Sequence, residues 1–245
     1  ELGKGVQQME LFAFRSALES LMQLAPRLRQ SPYVLSSIGR CYYELSEHDL
    51  AREWFAELRR NWPYYMTNMS IYSSVLWHLR AKSELNALSH DLVSLEPNSA
   101  EAWCAVGNSF SLDGDSDNAV NAFKRAVQVN PNFTYSYTLA GFEYLTLEKF
   151  DLARSSFIEA VRLDPRHYSG WYGLGLTHNR SENASSAKAY FLKALEVNPS
   201  SSSIQTSLAL CYATEEDVIS AIRHLRSSLD QNPTHLNAKY HLSSF

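Results

Sequence analysis

Residues 100–133 read AEAWCAVGNSFSLDGDSDNAVNAFKRAVQVNPNF, and this stretch decides the fold. Large and small residues alternate at fixed places in it: Trp103 at position 4, Gly107 at 8, Ala119 at 20, Phe123 at 24 and Pro131 at 32. Between the two halves, Asp113-Gly114-Asp115-Ser116-Asp117 has the polar, glycine-containing chemistry of a turn. The stretch predicts a first helix, a short turn, a second helix and a proline that stops it. Small residues at 8 and 20 let the helices approach closely, and bulky ones at 4 and 24 fill the space between them.

The proline recurs as Pro63, Pro97, Pro131, Pro165, Pro199 and Pro233, each 34 residues after the last, which uses six of the eight prolines in the chain. A register held this long is an internal repeat. A 34-residue period with W-x2-L-G-x2-Y and then A-x3-F-x2-A-x4-P is the signature of the tetratricopeptide repeat. The expected fold is all-α, a right-handed superhelical solenoid. Its units are read as 32–65, 66–99, 100–133, 134–167, 168–201 and 202–235. Residues 1–31 are expected to be a partial repeat, mainly a second helix carrying Leu11, Phe12, Phe14, Ala17, Leu18, Leu21, Met22 and Leu24. Residues 236–245 read as the start of a further, truncated repeat, so the chain is taken as a piece of a longer protein.

Structural roles fall to Gly107, Gly141 and Gly175 at position 8, Trp103 and Trp171 at position 4, and Pro131, Pro165 and Pro199. Truncating Trp103 to Ala is expected to cost about 3–5 kcal/mol. The unit 66–99 is degenerate, with Ser73 and Ser89 where the pattern has Gly and Phe, and Leu85 where it has Ala. It is expected to be held mainly by its neighbours.

Composition narrows the function classes. A net charge of -4 supplies no basic stripe for a phosphate backbone, so nucleic acid is not expected as a partner. Apolar runs fall short of a bilayer span, so no membrane is expected either. Cys41, Cys104 and Cys211 are too far apart for a metal motif and odd in number, and read as buried thiols. The sequons at Asn68, Asn132 and Asn183 are not expected to carry glycans. No nucleophile with its base, paired acid and base, phosphate loop or metal cluster stands out, so the chain reads as non-catalytic, without cofactor or metal.

In a right-handed stack of this type, positions 2, 5, 9, 12 and 13 of the first helix face a groove. These include Arg40 and Tyr43, then Ser70, Ser74, Trp77 and His78, then Glu101, Cys104, Asn108 and Ser111, then Tyr135, Thr138 and Phe142, then Tyr172, Leu176, Asn179 and Arg180. The mixture of apolar wall and amide suits an extended peptide with an apolar anchor. The Asn108 amide both donates and accepts, which fits it to clamp a peptide backbone.

The runs Ala100–Leu112, Gln128–Gly141 and Asp164–Gly175, with Ile38–Ser46 and Ile71–Leu79 from weaker units, resemble the subunit-three family of the anaphase-promoting complex. The resemblance runs from about Leu2 to Ser201. It implies a nuclear and cytoplasmic scaffold of a ubiquitin ligase, assembled with the other subunits of that complex. Its groove would receive the C-terminal Ile-Arg tails of coactivators and of the small degron-binding core subunit. Asn108 matches the family's tail-binding region, with Tyr135, Thr138, Phe142, Tyr172 and Leu176 as groove wall, Asn179 farther along and Glu101 as the acid for the tail Arg. Asn108→Ala is expected to weaken tail binding without shifting the melting temperature. Homodimerisation is expected through repeats outside this chain. A sibling repeat subunit of the same complex, the substrate-selecting arm of a sugar transferase and a chaperone adaptor remain as alternatives.

Overall fold

The computed structural model describes residues 1–181, 184–233 and 235–244, with the side chains of 184 and 185 left aside; the Asn183 sequon lies outside the described residues. Sixteen helices and no strand occur among those residues. They form two compact units, Glu1–Glu143 and Tyr144–Phe245, with the boundary inside one helix.

The first unit begins with α1 (Leu2–Glu10), α2 (Phe14–Met22) and the single turn α3 (Pro26–Arg29). Helix pairs follow: α4 (Pro32–Glu44) with α5 (His48–Asn61), α6 (Met69–His78) with α7 (Lys82–Leu95), and α8 (Ala100–Leu112) with α9 (Ser116–Val129). Most of α10 (Thr134–Thr146) completes it. The second unit holds the end of α10, then α11 (Phe150–Leu163), α12 (Tyr168–Arg180), α13 (Ala184–Val197), α14 (Ser202–Thr214), α15 (Val218–Gln231) and α16 (Leu236–Ser243).

The N-terminal segment differs from expectation. Residues 2–22 form a helical hairpin, because Phe12 takes a left-handed φ of 57° and stops α1 before the apolar stretch begins. Leu11 sits in that turn, 65% exposed, and the second helix starts at Phe14.

One backbone device closes every described turn between paired helices. Ser46, Arg80 and Gly114 in the first unit, and Glu148 and Glu216 in the second, all have positive φ, and only one of them is glycine. In each case the next residue donates its N–H five residues back, as in Glu47 to Tyr42 (2.9 Å), Ala81 to Leu76 (2.9 Å) and Asp115 to Phe110 (3.0 Å). These are Schellman caps, in which a left-handed residue satisfies the orphan carbonyls at a helix end.

Between the helices of a pair, the phenylalanines are the buried knobs. Phe55, Phe123, Phe157 and Phe191 are almost wholly enclosed. A Cβ on Gly107 would come within 2.2 Å of the Phe123 ring, and one on Gly39 within 2.8 Å of Phe55, so position 8 is small because a ring edge occupies that space. In the second unit a Cβ on Gly175 would stand 2.4 Å from Phe191. Gly141 on α10 is likewise buried.

The position-4 aromatics work differently from the expected knobs. Trp103 Nε1 donates to the Pro97 carbonyl at 2.9 Å, Tyr137 OH to Pro131 O at 3.1 Å, and Trp171 Nε1 to Pro165 O at 2.9 Å. Trp103 is only half-buried, with the Arg125 guanidinium 5.9 Å from its ring. It ties the helix to the preceding proline turn, and its truncation is expected to cost about 1–3 kcal/mol, less than for a core knob.

Candidate functional site: a polar ladder on the first helices

In the first unit, side chains of α4, α6, α8 and α10 meet one another, from position 12 of α4, positions 8 and 9 of α6, position 9 of α8 and position 2 of α10. Asn108 on α8 is 4% exposed, and its Nδ2 donates to Ser73 Oγ at 2.8 Å and Ser74 Oγ at 3.0 Å, both on α6. Tyr135 on α10 donates its hydroxyl to the same Ser74 Oγ at 2.9 Å. Since that uses its one proton, the Tyr43 hydroxyl, 3.2 Å away on α4, is the donor to Tyr135. Ser73 and Ser74 pass their own protons to the Ser70 carbonyl at 2.7 and 3.2 Å. Burial holds both phenols in the neutral form: Tyr43 is pushed up to about 12, and Tyr135 well above its ordinary value. Residues 92 apart in sequence thus touch, which requires the first helices of this unit to curve around a shared inner face.

Glu101 joins the same hub from below. Its Oε2 accepts from the Ser70 N–H at 2.7 Å, which caps the amino end of α6 beside the left-handed Asn68. Burial raises its pKa, opposed by its hydrogen bonds to Ser70 and to the Asn68 backbone. Three of the expected residues, Glu101, Asn108 and Tyr135, therefore converge on the Ser70–Ser74 turn of α6. Thr138 is buried on α10 and donates to its own helix at Tyr135 O, 2.8 Å, and Phe142 is half-buried two turns along from Tyr135. Cys104, at a groove position by register, is instead fully enclosed.

A second chain of bonds runs beside the first. Trp77 Nε1 donates to Ser111 Oγ at 3.0 Å, and Ser111 donates to Glu143 Oε1. Glu143 is a carboxylate only 8% exposed, and register reading passed over it because it stands at position 10. Of the α6 serines, register places Ser70 and Ser74 on the groove, but it reads Ser73 only as a small packing residue. Its signal was the departure of the 66–99 unit from its pattern.

The remaining expected residues lie in the second unit. The Tyr172 hydroxyl is 3.3 Å from Ser207 Oγ and its ring 5.7 Å from that of Phe191; burial raises its pKa. Leu176 packs on the cluster that contains Phe191, Ile204 and Leu208. Asn179 is exposed, with the Cys211 thiol 3.9 Å from its Oδ1, and Arg180 donates to Leu145 O at 3.0 Å. Among the described residues no group of three or more His, Cys, Asp or Glu is placed to hold a metal, and no helix is long and apolar enough to cross a membrane.

Two family models described as tetratricopeptide repeat match the chain, one over residues 13–65 and 138–184, the other over 100–133 and 168–201; together they match more than half of it. Among curated proteins, the chain is 39% identical over 150 residues to protein bimA of Emericella nidulans, covering 61% of this chain and 19% of that protein. It is 43% identical over 132 residues to the human cell division cycle protein 27 homolog, covering 54% and 16%. It is 34% identical over 148 residues to anaphase-promoting complex subunit 3 of Schizosaccharomyces pombe, covering 60% and 22%. The chain thus spans about a fifth of the length of these relatives. Among solved structures, the APC/C hetero-tetramer Cut9-Hcn1 superposes with a TM-score of 0.81 over 90% of this chain and 42% of the matched one, at 20% identity. That likeness concerns the fold alone.

Proposed function

Because the chain belongs to the tetratricopeptide-repeat family, we propose that it is part of a non-catalytic scaffold subunit of the anaphase-promoting complex, and that the inner face of its first unit receives C-terminal Ile-Arg tails. The scaffold reading is supported by identities of 34–43% with relatives named for cell division cycle protein 27 and for subunit 3 of that complex. The tails of coactivators and of the small degron-binding subunit are the proposed ligands, with other subunits as neighbours, homodimerisation through repeats outside this chain, and residence in nucleus and cytoplasm.

The observation that carries the tail reading is the fixation of Asn108. Both Nδ2 hydrogens are committed to Ser73 and Ser74, so the amide cannot swivel and its Oδ1 is presented as an acceptor for a peptide N–H. An acceptor oriented before binding loses little rotamer entropy when the ligand arrives. Tyr135, Thr138 and Phe142 on α10 form the proposed wall in this unit; Tyr172, Leu176 and Asn179 form the corresponding surface on α12 of the other. Two acids are the candidates for the tail Arg: Glu101, which also holds Ser70 and the Asn68 backbone, and Glu143, through the oxygen not bonded to Ser111.

Fluorescence anisotropy with a labelled ten-residue peptide tests this. A peptide ending Ile-Arg is expected to bind, and the same peptide with its last two residues exchanged to bind at least tenfold more weakly. Equal affinity for the two would remove tail recognition from the account.

A further inference from the structure

One edge of the first unit carries charge of the opposite sign to the chain. Residues 26–30 (PRLRQ) and 57–65 (ELRRNWPYY) hold four arginines against one glutamate, in a chain whose net charge is -4. Hydrogen bonds fasten the two stretches together through Gln30, which follows α3. Its Nε2 donates to Glu57 Oε1 at 2.9 Å, its Oε1 accepts from Asn61 Nδ2 at 3.3 Å, and its carbonyl accepts from Trp62 Nε1 at 3.1 Å. Arg27 stands one turn before Gln30 and Arg60 one turn after Glu57, so both lie on the faces that meet. Arg29 donates to the Met22 carbonyl at 3.0 Å, and Arg59 to the Pro63 carbonyl and to Asp91 of α7 at 3.5 Å. Among the described residues, Arg59 alone of the four meets a carboxylate; Arg27 and Arg60 are exposed and pair with nothing.

Apolar side chains on this edge face solvent. Tyr64 is 79% exposed, Leu28 55% and Trp62 46%. Trp62 and Tyr64 flank the repeat proline at positions 31 and 33. The next three units carry polar residues there: Glu96 and Asn98, Asn130 and Asn132, Asp164 and Arg166. The turn itself therefore needs no ring at either place. The backbone under both rings is fixed by the Arg59 bond to Pro63 and by the Tyr65 N–H donating to the Trp62 carbonyl at 3.1 Å. Trp, Tyr and Arg held in place before contact are the side chains that dominate interface energies. We propose that the edge formed by α3 and the end of α5 docks an acidic segment of a partner protein. Asp or Glu side chains of that segment meet Arg27 and Arg60, and an apolar side chain packs against Trp62, Tyr64 and Leu28. Paired guanidinium groups suit carboxylates, which accept from them in bidentate fashion. The edge shares no residue with the polar ladder, so it stands or falls apart from tail binding.

The experiment measures anisotropy of a labelled twelve-residue peptide of alternating Asp and Glu with a central Leu-Phe pair, added to the whole chain. The wild type is expected to bind it at about 50 mM salt and to lose about tenfold or more in affinity at about 0.5 M, where exposed charges are screened. Arg27→Glu combined with Arg60→Glu should lower the low-salt affinity by about tenfold or more. Arg154→Glu combined with Lys193→Glu makes the same change of total charge on exposed side chains of the second unit, and should leave affinity within about twofold. Tyr64→Ala should weaken binding by about tenfold at either salt concentration without lowering the melting temperature, because the ring touches the partner and not the core. No binding by the wild type, or equal losses from the two double reversals, would overturn the proposal. So would a single-stranded oligonucleotide that binds the wild type as tightly as the peptide and loses as much with Arg27→Glu and Arg60→Glu.

Discussion

The α6–α7 and α8–α9 pairs are neighbouring 34-residue repeats of the same topology, yet they solve the packing problem in opposite ways. In α8–α9, Gly107 has no side chain because the Phe123 ring fills that space. In α6–α7 the ring is replaced by Ser89, whose hydroxyl turns back to the Asn86 carbonyl at 2.9 Å, and the vacated volume admits a side chain at Ser73. Leu85, wholly buried where the other pair has Ala119, restores bulk from the second helix with Leu88 and Leu92, against Tyr72 and Leu76 of α6. Departure from the repeat pattern at three positions is thus one coordinated change. Its product is the Ser73 hydroxyl, which the consensus pair does not have, and Asn108 of the next repeat is built onto it and onto Ser74 beside it. The degenerate unit is the polar hub of the inner face, and its apolar residues form one core with Leu35, Phe55 and Leu58 of the repeat before and Ala102 and Ala105 of the repeat after.

The contrast predicts unequal responses at matched positions. Phe123→Ala should destabilise by about 3–5 kcal/mol in chemical denaturation, because it empties a filled site, whereas Ser89→Ala should cost less than about 1 kcal/mol. A comparable loss at both would mean that α6–α7 is not packed independently of a position-24 knob.

Asn108→Ala comes next. By register alone this position faces the binding groove, and truncation there is expected to leave the melting temperature unchanged. Its burial and its two bonds to α6 correct that expectation: about 1–3 kcal/mol should be lost, visible as a lower melting temperature. Binding assays on this variant must be run well below its transition.

The smallest effects concern the turns. Arg80 and Gly114 occupy the same left-handed position in the two pairs, with φ of 55° and 80°. Arg80→Gly should stabilise the first by up to about 1 kcal/mol, and Gly114→Ala should weaken the second by a similar amount. Opposite signs are the expected result; two losses would show that the Arg80 side chain contributes more than its backbone strain costs.

How much of this was legible before the structure follows from the range of each interaction. The fold class was readable because Gly107, Phe123 and Pro131 act within one repeat and recur with it. The turns were less so, since glycine marks a left-handed residue only at Gly114, while Ser46, Arg80, Glu148 and Glu216 adopt the same conformation unannounced. The site was least legible. A register template says which way a position faces, but Asn108 to Ser74, Ser111 to Glu143 and Tyr43 to Tyr135 join different repeats, and their meeting depends on curvature that no single repeat encodes. Glu101 illustrates the point: expected as an acid awaiting a ligand, it also caps α6.

A double-mutant cycle on stability, combining Ser73→Ala with Asn108→Ala, tests the hub most directly. Ser73 bonds Asn108 at 2.8 Å, so the two losses should overlap, with a coupling of about 1 kcal/mol. Losses that add to within about 0.3 kcal/mol would show that the degenerate repeat does not hold Asn108, and would contradict the account.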